Sequence, residues 1–207
     1  MSSPHSPERK IIAVDMDEVI ADALGEHLHR YNRDFANDHT APLTLDDLCG
    51  RRLWQVVPAE RHALIDNYLR DADFFRVLRV MPHAQRVLER LQSRYEVFIA
   101  SAAMEVPTSF AAKYDWLAEH FPFIPISHIV FCGDKSILRA DYLIDDNPRQ
   151  LRLFQNSQDS GIQDSRNRGT FREGILYTSP ANLHITGYRR VDNWLAVEKM
   201  FLDEYTP

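Results

Sequence analysis

Short apolar runs alternate with amphipathic stretches along most of the chain. Residues 10–14 (KIIAV) form an apolar run that stops abruptly at carboxylates, the pattern of a buried parallel strand opening onto a site. Ala23, Leu24, Leu28, Tyr31 and Phe35 then recur at helical spacing. Residues 37–81 are less regular: Thr44 with Asp47 three positions on predicts a helix cap, and Leu64, Ile65, Tyr68 and Leu69 a short helix. From Pro82 onward strands and helices alternate. Ala84, Val87, Leu88 and Leu91 predict a helix and 95–100 (YEVFIA) a strand. Pro107 opens a further helix whose apolar face carries Phe110, Ala111, Tyr114, Leu117 and Ala118. Strands are expected at 128–131 (HIVF), 142–144 (YLI) and 174–177 (GILY). Val191, Trp194, Leu195, Phe201 and Leu202 mark a closing helix, with Glu198 interrupting its face. The Ser- and Pro-rich residues 1–7 read as a loose tail and the polar stretch 156–169 as a surface loop.

Strands alternating with helices predict an α/β domain with a mainly parallel sheet, and such sheets bind ligands outside the carboxyl ends of their strands. The chain has 207 residues, room for one domain with a sizeable core or a core plus an insertion. A hydrophobic share of 44% with 26% charged residues is ordinary for a soluble globular protein. The formal net charge of −6 argues against a surface for nucleic-acid polymers, which needs a basic stripe, but leaves room for one nucleotide held locally. Cys49 and Cys132 stand far apart and form no CxxC pair, as expected in a reducing, cytoplasmic compartment. The opening MSSPHSPERK has no apolar signal-peptide region, and no run is long enough to span a membrane.

The candidate chemistry lies at the predicted strand ends. The first strand runs into Asp15-Met16-Asp17, the next into Ser101 and a later one into Asp145-Asp146, with Gly133-Asp134-Lys135 between them. If these strands are parallel neighbours, four carboxylates meet in one cleft, which demands a cation and a lysine as compensation. Oxygen ligands with few His or Cys nearby favour Mg2+ beside a phosphate. The same layout implies phosphoryl transfer. A first Asp attacks phosphorus, an Asp two residues on moves the protons, and Lys135 with the Ser101 hydroxyl holds phosphoryl oxygens. Ser101 has a plain alternative as a turn residue, and Asp134 reads as orienting its loop. His27 and His29 do not share a helix face, and Arg51, Arg52 and Arg149 default to solvated surface.

DMDEV at 15–19, the strand ending at Ser101, Lys135, and IDDNP at 144–148 resemble the four motifs of the haloacid dehalogenase-like phosphatases, in order and over almost the whole chain. The strings FIASAAMEVPTSFAAKYDWLAEHFPFIP and HIVFCGDKSILRADYLIDDNPRQL, with the paired Phe74-Phe75, resemble the 5'(3')-deoxyribonucleotidase group. The resemblance implies a Rossmann-like three-layer core from 8–20 and 82–207, with a small helical cap inserted at 21–81. It implies Asp15 as nucleophile and metal ligand, Asp17 as acid/base supplying a backbone carbonyl to the metal, and Asp146 as the third ligand with Asp145 beside it. Ser101, Ala102 and Lys135 would hold the phosphate. Phe74, Phe75 and Trp54 would stack on a base, although adjacent aromatics usually divide between core and surface, and Trp54 also suits the cap's own core. The implied reaction is Mg2+-dependent hydrolysis of nucleoside monophosphates, those of pyrimidine deoxyribonucleosides above all. A phosphatase for a sugar phosphate and a silent nucleotide-binding module are the alternatives, and a homodimer is left open.

Overall fold

A computed structural model describes residues 9–37, 41–71, 73–156 and 172–203. The tail at 1–7, and the polar stretch 156–169 apart from Asn156, lie outside the described residues. Six strands form one sheet: β1 (Ile11–Val14), β2 (Glu96–Ser101), β3 (Ile129–Phe131), β4 (Tyr142–Asp145), β5 (Glu173–Tyr177) and β6 (Arg189–Val191). Every neighbouring pair is parallel and the spatial order is β3-β2-β1-β4-β5-β6. The chain therefore winds outward in one direction from β1 and then in the other. The two directions part between β1 and β4, which leaves a crevice beyond their carboxyl ends.

The two-residue side-chain period of a strand distributes the apolar residues over both faces. Ile12, Val14, Ile99, Ile144 and Ile175 join one buried cluster, whereas Ala13, Ala100, Leu143 and Leu176 join a second on the opposite face. Helix α6 (Pro148–Asn156) covers the second face with Leu151 and Phe154. Its approach to β5 requires Gly174, since a Cβ there would come within 3.1 Å of the Leu151 Cβ. Helices α4 (Ala84–Leu91), α5 (Phe110–His120) and α7 (Trp194–Glu198) supply residues to the first cluster, and all four apolar residues expected on α4 are fully buried. These are the three layers of an α/β fold.

Between β1 and α4 the chain forms α1 (Ala23–Asp34), α2 (Leu53–Val56) and α3 (His62–Tyr68). Asp22 caps α1 by accepting the Gly25 amide at 2.8 Å. The rings of His27, Tyr68 and Phe74 pack together, and Leu28, Leu53, Ile65 and Phe74 belong to the same continuous apolar cluster as the sheet. Thr44 and Asp47 close a hydrogen-bonded turn rather than start a helix, with the Thr44 amide and hydroxyl both 2.8 Å from Asp47 Oδ2. Among the described residues no helix is long and apolar enough to cross a membrane.

The expected bounds and faces of the closing helix and of α5 are corrected in part. Val191 belongs to β6 rather than to the closing helix, which begins at Trp194. Leu195 faces outward while Glu198 is buried, because Arg86 grips both its carboxylate oxygens at 2.6 and 2.7 Å and Arg90 adds a third contact. Helix α5 is also rotated from the predicted face. Ala112, Lys113, Trp116 and Leu117 are its buried residues, and Tyr114 is exposed. A buried lysine needs partners, and those lie at the strand ends.

Candidate active site

The crevice between β1 and β4 brings the acidic strand ends together. Asp15 follows β1 directly, with its amide bonded to the Ile144 carbonyl of β4 at 2.9 Å. Asp145 ends β4 and Asp146 follows it. One carboxylate oxygen from each of Asp15, Asp145 and Asp146 lies within 4.8 Å of the others. Lys135, 1% exposed, places its Nζ 2.5 Å from Asp15 Oδ1 and 2.6 Å from Asp145 Oδ2. The Lys135 loop is held from α6, where Gln150 accepts the Lys135 amide and donates to the Gly133 carbonyl, while Asp134 accepts the Ser136 amide.

After β1 the backbone turns sharply. The amides of Ile20 and Ala21 both reach back to the Met16 carbonyl, and Glu18 takes a left-handed conformation with φ 62°. That conformation is costly for a non-glycine residue. It is offset here because Glu18 Oε1 accepts the Leu24 amide at 2.6 Å, one of the open donors of the first turn of α1. The turn delivers Asp17 to the other side of the crevice. Asp17 Oδ2 receives a hydrogen bond of 2.5 Å from Lys113, whose Nζ also stands 3.2 Å from Ser101 Oγ. Asp17 Oδ1 is buried without a hydrogen-bonding partner.

Two lysines therefore serve a crowd of carboxylates. Burial pushes the Asp15 carboxyl up to about 7, with Asp145 and Asp17 adding repulsion and Lys135 pulling it back. Burial likewise holds Asp146 well above the usual carboxylate range, and the charges of Asp145 and Asp15 raise it further. The site has more negative charge than its lysines neutralise. A hard divalent cation fits that deficit and the all-oxygen donor set. The donors are also sorted. Asp145 has Oδ2 on Lys135 and Oδ1 on the Asn147 amide at 2.8 Å, so both its oxygens are occupied. Among the described residues Asp15 Oδ2 accepts no hydrogen bond, and Asp146 faces the cavity.

The cavity beside this cluster has a volume of about 550 Å³, within the range of small-ligand sites. Asp17, Lys113 and Asp146 line it together with Ala102, Leu24, Leu53, Trp54, Phe75 and Ile185. The expected residues separate here. Phe75 lies on the wall with Lys113 Nζ 4.5 Å from its ring centroid, and Trp54 lines the cavity while its indole donates to Asp66 Oδ1 at 2.8 Å. Phe74 does not line it. It is fully buried against His27, because two successive residues of the turn Phe74–Arg76 cannot face the same way. Ser101 is also fully buried, with its hydroxyl at Lys113. Sequence reasoning missed Lys113, Glu18, Ser179 and Asn182. Of these, Glu18 stands inside the DMDEV string and Lys113 inside the string 98–125; Ser179 and Asn182 carry no local signal.

His27 lines the cavity as well, and its Nε2 is buried without a partner. Burial drives its pKa down to about 4, so it is neutral in the folded protein at neutral pH. Between pH 6.5 and 4 the unfolded chain binds a proton there that the folded chain refuses, so this residue makes stability fall as the pH drops. From pH 8 to pH 5 the contribution is about 2 kcal/mol. Urea unfolding should show His27→Phe losing less stability than the parent over that interval by roughly this amount. Equal losses in both proteins would refute the assignment.

A parallel sheet of this order, with Asp15 and Asp146 at its switch point and Lys135 between Asp15 and Asp145, is the haloacid dehalogenase-like fold. A haloacid dehalogenase-like family hydrolase from Streptococcus pneumoniae superposes with a TM-score of 0.55 at 13% identity, covering 93% of this chain and 98% of that one. Residues 9–204 match the family model described as "5' nucleotidase, deoxy (Pyrimidine), cytosolic type C protein", and the chain belongs to that family. It is 46% identical over 195 residues to a Staphylococcus aureus (strain Mu50) protein named "Putative 5'(3')-deoxyribonucleotidase", covering 94% of this chain and 97% of that protein. It is 33% identical over 200 residues to the 5'(3')-deoxyribonucleotidase of Bacillus subtilis, covering 94% and 99%. The chain is an enzyme of the deoxyribonucleotidase-like class, a phosphoric monoester hydrolase.

Proposed function

We propose that the protein hydrolyses nucleoside monophosphates, preferring those of pyrimidine deoxyribonucleosides, with Mg2+ as cofactor and Asp15 as nucleophile. One observation carries this reading: the aromatic-walled cavity of Phe75 and Trp54 opens directly onto Asp17 and Asp146. A phosphate held at the carboxylate cluster leaves its nucleoside in that cavity, where a planar base meets two aromatic rings. The helical segment 21–81 then serves as a cap over a core made of 8–20 and 82–207. The family membership and the relatives' names support the substrate class.

Asp15, Asp146 and the Asp17 backbone carbonyl would hold the ion. When bound it supplies the positive charge that lets an anionic nucleophile meet an anionic substrate. Asp15 Oδ attacks phosphorus, and the bond from phosphorus to the nucleoside oxygen breaks as the new one forms. Asp17 gives its proton to the departing oxygen, then takes one from a water that attacks the aspartyl phosphate, releasing inorganic phosphate and restoring Asp15. Lys113 orients Asp17 for both transfers, since its Nζ fixes Oδ2 and leaves Oδ1 for the proton. Lys135, Ser101 and the backbone at Ala102 steady the phosphoryl oxygens. Lys135 also eases the ionisation of Asp15, which burial opposes, and Asp145 holds Lys135 in place.

Phosphate release from dUMP, dTMP, UMP, AMP and a sugar phosphate, with Mg2+ and with EDTA, tests the reading. The expected result is Mg2+-dependent release fastest with dUMP or dTMP. For Phe75→Ala, KM for these nucleotides should rise about fivefold or more, the loss of about 1–3 kcal/mol of stacking. Faster release from the sugar phosphate would replace the substrate class and keep the chemistry.

A further inference from the structure

Strand β6 lies two strands from β4 and contains none of the acidic motifs, yet it reaches the site through one arginine. The guanidinium of Arg190 makes four hydrogen bonds, all into the loop between β5 and β6. Nη1 donates to Thr178 Oγ1 at 3.1 Å and to Asn182 Oδ1 at 2.9 Å, and Nη2 to the carbonyls of Asn182 at 3.1 Å and Ile185 at 2.6 Å. Asn182, 2% exposed, carries the connection onward: its Nδ2 donates to the Tyr177 carbonyl and to the Asp146 carbonyl, each at 2.8 Å. Its Oδ1 also accepts the Ser179 amide at 3.2 Å. With both ends of the amide occupied, Asn182 has one orientation, and Arg190 sets it.

The same loop faces the cavity. Ser179, Asn182, His184 and Ile185 line the cavity, and His184 Nδ1 stands 3.3 Å from where a Cβ on Gly50 of the helical segment would lie. Ser179, whose side chain is buried, lines the cavity together with Asp146. One guanidinium thus holds the carbonyl of a residue on the acidic cluster and a wall of the cavity together. Among the described residues it pairs with no carboxylate, so its fork of donors is committed to positioning oxygens.

We propose that Arg190, acting through Asn182, is a positioning residue for the metal site: it holds Asp146 and the 178–185 loop in the geometry that binds the cation. The proposal rests on the reading of Asp146 as a metal ligand. Groups that orient a metal ligand typically change metal affinity by about 10–100-fold when removed. Lysine can replace Arg190 only in part, since its three donors sit on one nitrogen and cannot span both the Asn182 side chain and the Ile185 carbonyl as a planar fork does.

The test is calorimetric titration of Mg2+ into the metal-free, folded full chain. Arg190→Met and Asn182→Ala should each weaken Mg2+ binding about tenfold or more, and Arg190→Lys by an intermediate factor. Leu183→Ser, at an exposed position of the same loop, should bind Mg2+ like the parent. In steady state, at a temperature where each variant is fully folded without Mg2+, raising Mg2+ should restore most of the lost kcat, a recovery that a merely structural role would not produce. If Arg190→Met fails to fold, Arg190→Lys and Asn182→Ala carry the measurement. Folded variants that bind Mg2+ like the parent would overturn the positioning role and leave the proposed activity standing. A parent protein that binds no Mg2+ would overturn the metal assignment and this proposal together.

Discussion

Asp15→Asn should lose phosphate release by at least about 10⁴-fold and yet unfold no more easily than the parent. An amide oxygen is a poor nucleophile and forms no stable phosphoryl ester, so the first bond to phosphorus is not made. The stability half follows from the electrostatics of the site. Asp15 is buried among Asp17, Asp145 and Asp146, and its carboxyl is raised to about 7 because ionisation there is unfavourable without a further cation. The neutral amide removes that repulsion while keeping an oxygen acceptor for Lys135. Phosphate release with dUMP and Mg2+, beside thermal unfolding in EDTA, reads both effects. Activity near the parental level would remove Asp15 as nucleophile. Inactivity with a collapsed melting temperature would make the loss uninformative about chemistry and refute the electrostatic account.

Lys135→Met should produce the largest loss of stability of any single change in the site. The ammonium is 1% exposed and bonded to two carboxylates, each within 2.6 Å. Removing one partner from a buried ion pair strands the other and costs about 3–5 kcal/mol. For a domain of this size that corresponds to a melting temperature lower by roughly 6–20 °C. Two dependences separate this mechanism from simple loss of packing. Adding Asp145→Asn to Lys135→Met should recover part of the stability, because one stranded charge disappears. Mg2+ should also stabilise the variant more than the parent, since the ion then replaces the positive charge lost from beside Asp15. A double variant weaker than the single, with no Mg2+ effect, would sink this account.

The strand ends explain why so much of the site was legible. Apolar runs at 10–14, 95–100 and 142–144 each stop at a polar residue, and a parallel sheet collects such ends on one edge. Lys113 shows where this reading failed. A search for an apolar face on 110–118 places a lysine outward, and so it rotated α5 away from its true buried side of Ala112, Trp116 and Leu117. Phe74 and Phe75 show a different limit, since neighbours on a short turn point in different directions and only the fold says which of the two meets the cavity.

By itself the sequence determined the alternation of strands and helices, the parallel sheet and the placing of Asp15, Lys135, Asp145 and Asp146 at its edge. These follow from local periodicity and from the chemistry of residues adjacent in the chain. Only the tertiary structure decided which cations are buried and what they hold. Lys113 meets Asp17 from 96 positions away, and β6 (RRV) has too little apolar pattern to be seen until β5 pairs with it. Arg190 reaches Asp146 only through Asn182, which lies 36 positions from it in sequence. The physical reason is that a buried charge is stable only where its partners meet it, and those partners arrive from distant segments.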